Sequence, residues 1–179
     1  MFLAAGSLIM LSALSPCITR YCQEKVDRFD PIFEWASKKH DVPKWVLIGI
    51  AVQESNITPS AKSGTHDWGV MQIHCNKRGW SWLPYLRKRG LKLEKCKDLL
   101  DPKKNIEAGA IIVRYLMYFG GEKRGFVDTM TLYNCGPRCK TPRKRYAAKV
   151  RFYGQKSQKE KVKWRRLSVK ISGSSLRKS

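Results

Sequence analysis

The stretch from Trp45 to Ser55, WVLIGIAVQES, constrains the fold more than any other part of the chain. Pro43 stands just ahead of it, where a missing N–H costs a helix nothing, so a helix is predicted from there to about Ser55. Leu47, Ile50, Ala51 and Glu54 fall at steps of three and four, which puts a carboxylate on the apolar stripe. Desolvation raises the pKa of such a group and makes it able to protonate a leaving oxygen near neutral pH. Taken alone, Glu54 reads more readily as a helix-end residue whose tip reaches water. Its neighbours along the chain decide between the two.

Other helices follow from similar punctuation. Asp30-Pro31 predicts a helix start with Asp as cap, running to about His40. Asp101-Pro102 predicts another, with Ile106, Ala110, Val113 and Met117 as its buried stripe, Gly109 allowing close helix approach and Gly120-Gly121 ending it. A short helix is predicted over Phe126–Tyr133 and a last one over 144–153, with Tyr146, Val150 and Tyr153 on one face. Residues 56–75 carry Asn, Pro, Ser and Gly at loop density. The body holds no internal repeat and no strong strand pattern, so a mainly α fold is expected, over residues 28–155.

Charge divides the chain differently. The formal charge of +22 is concentrated at the end: from Arg138 to Ser179 sixteen Lys and Arg face the single acid Glu160, a local +15. This predicts a basic tail over 156–179 attracted to polyanions such as anionic wall polymer, membrane lipid or DNA. Its VKWRRLSVKIS segment alternates well enough for a short strand if a partner supplies the surface. At the other end, residues 1–19 are apolar and uncharged, and are read as a signal peptide or membrane anchor. Six cysteines agree with export; the favoured pairs are Cys75–Cys96 and Cys135–Cys139, although spacing does not fix connectivity. The cysteines form no CxxC and meet no His at zinc intervals, so neither a metal site nor another cofactor is expected.

Four short motifs occur in order: ES at 54–55, GVMQI at 69–73, NIEAGA at 105–110 and LYNCGP at 132–137. Together they resemble the soluble lytic transglycosylases, whose fold is that of goose-type lysozyme and whose usual forms are ES, GLMQ, NIxxG and AYNAG. The resemblance covers about residues 30–154. SGTHDWGVMQI and the short layout look most like the small specialised members that accompany secretion, conjugation and pilus machines or phage virions. The resemblance implies an exported enzyme of the periplasm or cell envelope, or of a phage particle, that cleaves peptidoglycan glycan strands. It implies Glu54 as the single acid and base, with Ser55 beside it. Ser63 and Gln72 would contact sugar, with Met71 supporting the loop that carries Gln72. Asn105 would tie helix to loop, and Tyr133 would hydrogen-bond near Glu54 with Asn134 shaping the same wall. His74 stands where the family commonly has Met and is a further substrate contact if it faces the cleft. Cys135 replaces the second Ala of AYNAG.

Asp67 bears on mechanism. Chicken-type lysozymes show a similar E-S…D-x-G-x-x-Q-I string, with Asp67 at the place of their second carboxylate, and a retaining hydrolase needs such a pair. The specialised transglycosylases carry Asp there too without using it as nucleophile. Three readings therefore stand: a transglycosylase, a hydrolase using Glu54 and Asp67, and a wall-binding module whose acid is idle. A nucleic-acid-binding reading rests on the tail alone and lacks the RNP, helix-turn-helix or finger patterns.

Overall fold

A computed structural model describes residues 20–77, 79–136 and 139–158. Helices dominate: α1 (Arg20–His40), α2 (Lys44–Ser55), α3 (Leu83–Lys88), α4 (Pro102–Met117), α5 (Phe126–Cys135) and α6 over residues 144–158. Between α2 and α3 two short antiparallel strands, β1 (Asp67–Trp68) and β2 (Ile73–His74), pair Asp67 with His74 and Trp68 with Ile73. A short 3-10 helix, Cys96–Leu100, leads into α4.

The predicted helices are present, with two changed boundaries and with unpredicted elements between α2 and α4. α1 does not begin at Asp30 but runs through Pro31 from Arg20. Burial outweighs the missing N–H: Val26 before the proline, and Phe33 and Ala36 after it, are all at most 2% exposed. Asp30 pairs instead with Lys44 at 3.2 Å, and Lys25 donates to the Asn56 carbonyl at 2.9 Å, joining α1 to both ends of α2. The folded unit therefore starts before residue 28, and α6 continues through 156–158. The strand pair within 56–75 is held by its neighbours, while α3, which has a proline in its first turn, and the 3-10 helix Cys96–Leu100 are further elements with no counterpart among the predicted helices. The expectations for residues 1–19 and for VKWRRLSVKIS lie outside the described residues. Among the described residues no helix is long and apolar enough to cross a membrane.

α2 is the central element. Every residue from Val46 to Val52 is buried. A Cβ added at Gly49 would lie 2.1 Å from the Val150 carbonyl oxygen, and one at Gly154 would lie 2.0 Å from that of Trp45. The backbones of α2 and α6 thus touch at two points, with Trp45 opposite Gly154 and Gly49 opposite Val150, an antiparallel register only glycine permits. Gly109, expected to bring helices together, instead receives the Met71 side chain: its added Cβ would be 2.6 Å from Met71 Cε. Asp101 caps α4 by accepting from the Lys104 N–H at 2.9 Å. Both favoured disulfides are formed, Cys75–Cys96 and Cys135–Cys139.

Candidate active site

α2 ends immediately after Glu54. Asn56 and Ile57 take left-handed conformations (φ 55° and 52°), and their N–H groups return to the Val52 and Ala51 carbonyls. Ser55 fastens this end to the next loop, donating to the Val70 carbonyl at 2.7 Å and accepting from the Thr58 N–H at 3.0 Å. Glu54 is thereby left in the last turn of a buried helix, facing a cleft of about 620 Å³.

The α2–α6 register supplies its partner. Continued one turn beyond Gly49 and Val150, it sets Tyr146 against Glu54, and the phenol donates to the carboxylate Oε1 at 2.5 Å. Burial holds the Glu54 carboxyl above its ordinary pKa; the Tyr146 hydrogen bond opposes this, and the nearby charge of Asp67 adds to it. Burial, followed by the charge of Glu54, pushes the Tyr133 and Tyr146 phenols well above their ordinary values, so both remain hydroxyl donors.

The wall opposite Glu54 is the strand pair and its turn. Asn105, fully buried on α4, organises it: its Oδ1 accepts from the Met71 N–H at 2.6 Å, and its Nδ2 donates to the carbonyls of Trp68 and Leu99, both at 2.7 Å. Gly69 (φ 72°) passes so close that an added Cβ would lie 2.5 Å from Asn105 Nδ2 and 2.2 Å from the Leu99 oxygen. Met71, fully buried, underpins the turn. Gln72, at φ 47°, lines the cleft with its Nε2 donating to the Gly69 carbonyl at 2.8 Å. Tyr133 closes the opposite side and donates its hydroxyl to the Met71 carbonyl at 2.8 Å, not to Glu54.

Both carboxylate oxygens of Asp67 are engaged. Oδ1 meets His74 Nδ1 at 2.9 Å, while Oδ2 accepts from Ser63 at 2.8 Å and Thr65 at 2.5 Å. Ser63, expected at the sugar, holds Asp67 through its hydroxyl and is not among the lining residues. Glu54, Asp67, Gln72, His74, Tyr133 and Asn134 do line the cleft together. Asn105, Met71 and Ser55 act behind its surface.

Sequence reasoning missed Tyr146, Trp80 and Trp82. Tyr146 was legible only as one member of a buried stripe. Trp80 is 57% exposed and lies face to face with His74, ring centres 5.4 Å apart, with Trp82 edge-on behind it at 5.0 Å. Two nearby tryptophans in a loop were the one available hint. The site is thus a cleft with one buried acid, a hydrogen-bonded opposite wall and an aromatic platform at its rim. Among the described residues, no group of His, Cys, Asp or Glu could hold a metal ion.

Such a helical fold, with a desolvated carboxyl at the end of a buried helix beside a small strand pair, defines a mainly α domain built around a cleft with one buried acid. The sequence pattern of the family described as Transglycosylase SLT domain matches residues 30–155, and the chain belongs to that family. Membrane-bound lytic murein transglycosylase C of Serratia proteamaculans (strain 568) is 25% identical over 119 residues, which are 65% of this chain and 33% of that protein. The fold is similar to that of the 70-kDa soluble lytic transglycosylase of Escherichia coli, with TM-score 0.52 and 23% identity over 70% of this chain and 19% of that one. The complex of the 70-kDa soluble lytic transglycosylase with bulgecin A gives TM-score 0.53 and 23% identity over 75% of this chain and 20% of that one. The chain therefore spans about a third of the curated relative and about a fifth of the solved chains.

Proposed function

We propose that this domain is a peptidoglycan lytic transglycosylase that cleaves the β-1,4 bond between N-acetylmuramic acid and N-acetylglucosamine. One observation carries the reading: a single carboxyl group in the cleft is desolvated and its pKa raised, while the other, Asp67, has both oxygens engaged by Ser63, Thr65 and His74. Glu54 starts as the acid and gives its proton to the glycosidic oxygen as the C1–O bond breaks. The acetamido oxygen of the muramoyl residue attacks its own C1 in place of a protein nucleophile. The Glu54 carboxylate then takes the proton from the C6 hydroxyl, whose oxygen displaces the acetamido oxygen at C1. The product is a 1,6-anhydro-muramoyl end, and Glu54 returns to its acid form without consuming water.

Tyr146 keeps Glu54 oriented and partly offsets its desolvation, which suits a group that must both give and take a proton. Gln72, Asn134 and His74 supply polar contacts along the strand, and the exposed face of Trp80 offers an apolar surface for a sugar ring. The relative's printed name, membrane-bound murein transglycosylase, and the two disulfides support action at the cell envelope, for local wall opening. The family resemblance of SGTHDWGVMQI extends this to a secretion, pilus or virion assembly.

Mass analysis of the products from purified sacculi tests the mechanism. Anhydro ends one water lighter than hydrolysis products are expected. Reducing ends alone would instead favour a hydrolase in which Asp67 serves as the second carboxylate, and no cleavage at all would favour a wall-binding module.

A further inference from the structure

A second cavity of about 620 Å³ lies across the strand pair from the cleft. Of the strand residues, Asp67, Ile73 and His74 line the cleft, whereas Trp68, together with Cys75 just past β2, lines the second cavity. Its floor is apolar, made by the Trp68 ring and the Cys75–Cys96 disulfide. The Trp68 indole N–H donates to the Cys75 carbonyl at 3.0 Å, fixing the ring across the strands. Around this floor stand Lys62, Lys77, Lys95 and Lys97, with the Lys62 ammonium 4.4 Å over the Trp68 ring. The disulfide ties the segment carrying Lys95 and Lys97 to the strand pair, so three separate stretches of chain bring their charge to one place. Among the described residues no carboxylate lines the cavity. Asp98, which feels Lys95, accepts from the backbone N–H groups of Glu94 and Lys95.

Four ammonium groups over an aromatic floor suit an anion attached to an apolar body better than a neutral sugar. Building on the proposed reading of the cleft, we infer that this cavity takes the peptide branches of the glycan strand. Their free carboxylates meet the lysines and their aliphatic side chains cover Trp68. The muramoyl residue that carries a branch is bound in the cleft, and only two short strands separate that cleft from the lysines. The cavity thereby makes the domain prefer peptide-bearing glycan over stripped glycan, and the preference weakens as salt screens exposed charge.

The test compares cleavage of peptide-bearing strands with cleavage of strands stripped of peptide by an amidase, for wild type and for Lys62→Gln with Lys97→Gln. Two exposed charge pairs lost together correspond to about a fivefold rise in KM. That rise is expected for peptide-bearing strands only, with kcat and the stripped-strand kinetics unchanged. Equal KM ratios in wild type and variant would overturn the inference. Should wild type cleave neither substrate, the proposed function fails, and the inference is then judged by direct binding. In that arm the probe is the N-acetylated synthetic branch acetyl-L-Ala-γ-D-Glu-L-Lys-D-Ala, whose acyl group replaces the link to the sugar and leaves a net negative charge, observed through the Trp68 indole N–H resonance. A shift of that resonance in wild type, lost in the double variant, supports the cavity's assignment. An unmoved resonance, or a response to polyphosphate but not to the peptide, overturns it.

Discussion

Replacing Gly49 with Ala should weaken the protein and retune its acid together. A Cβ at position 49 would sit 2.1 Å from the Val150 oxygen, where real Cβ contacts keep at least 3.0 Å, so α2 and α6 must part by about 0.9 Å. The same movement stretches the 2.5 Å Tyr146–Glu54 hydrogen bond to about 3.4 Å, outside the usual O–H···O range. Alanine gains about 1 kcal/mol of helix propensity over glycine. Against this stand about 1–3 kcal/mol for overpacking and about 1 kcal/mol for the lost hydrogen bond. The clash wins by about 1–3 kcal/mol, and for a chain of this size Tm should fall by about 2–12 °C. Losing the phenol removes the contact that holds the Glu54 pKa down, so the alkaline limb of the pH–rate profile should move to higher pH. Differential scanning calorimetry and pH–rate profiles on sacculi measure the two effects. Tyr146→Phe should move the limb in the same direction without the backbone clash, and Gly64→Ala, with nothing within 4 Å of the new Cβ, is the control. A Gly49→Ala protein with wild-type Tm and an unmoved pH profile would refute the proposed link between the glycine contact and the acid.

Glu54→Gln should abolish cleavage and still stabilise the fold at pH 8. A folded-state pKa raised above 4.5 means that the folded chain keeps this proton longer than the unfolded one. Stability is therefore full below pH 4.5 and falls as pH rises through the folded value, a loss that Gln avoids. Denaturant unfolding at pH 8 and pH 4 should show the variant ahead only at pH 8; the reverse order would sink the assignment of a desolvated acid. Asn105→Leu should cost about 3 kcal/mol or more, because the Met71 N–H and two carbonyls lose a buried partner at once, and calorimetry reads it as a Tm lower by about 6–12 °C. Deleting residues 159–179 should leave cleavage of small soluble muropeptides nearly unchanged while weakening binding to whole sacculi; a loss of activity on the small substrates would assign the tail to the folded unit.

Much of the helical frame was written locally. Pro43, and Asp101 with Pro102, mark the starts of α2 and α4 because caps and missing donors act within one turn. The apolar stripe through Glu54 likewise declared a carboxylate at the edge of a core, and the ordered motifs pointed to the residues that line the cleft. Local rules failed where distant burial outweighed them. α1 ignored the proline because Val26, Phe33 and Ala36 share a core, and the two-residue strands form because Asn105 on α4 holds their turn at the close approach that Gly69 allows. Tyr146 lies 92 residues from Glu54 in the chain, and no periodicity announces such a pairing. It depends on Gly49 and Gly154, which read in sequence as weak helix residues and become, once α2 meets α6, the points that set the register. The sequence by itself determined which residue could become an acid. The packing of two helices decided its partner, and the hydrogen bonds around Asp67 decided that the second carboxylate would be held instead of free, because contacts between distant segments exist only after the chain has closed on itself.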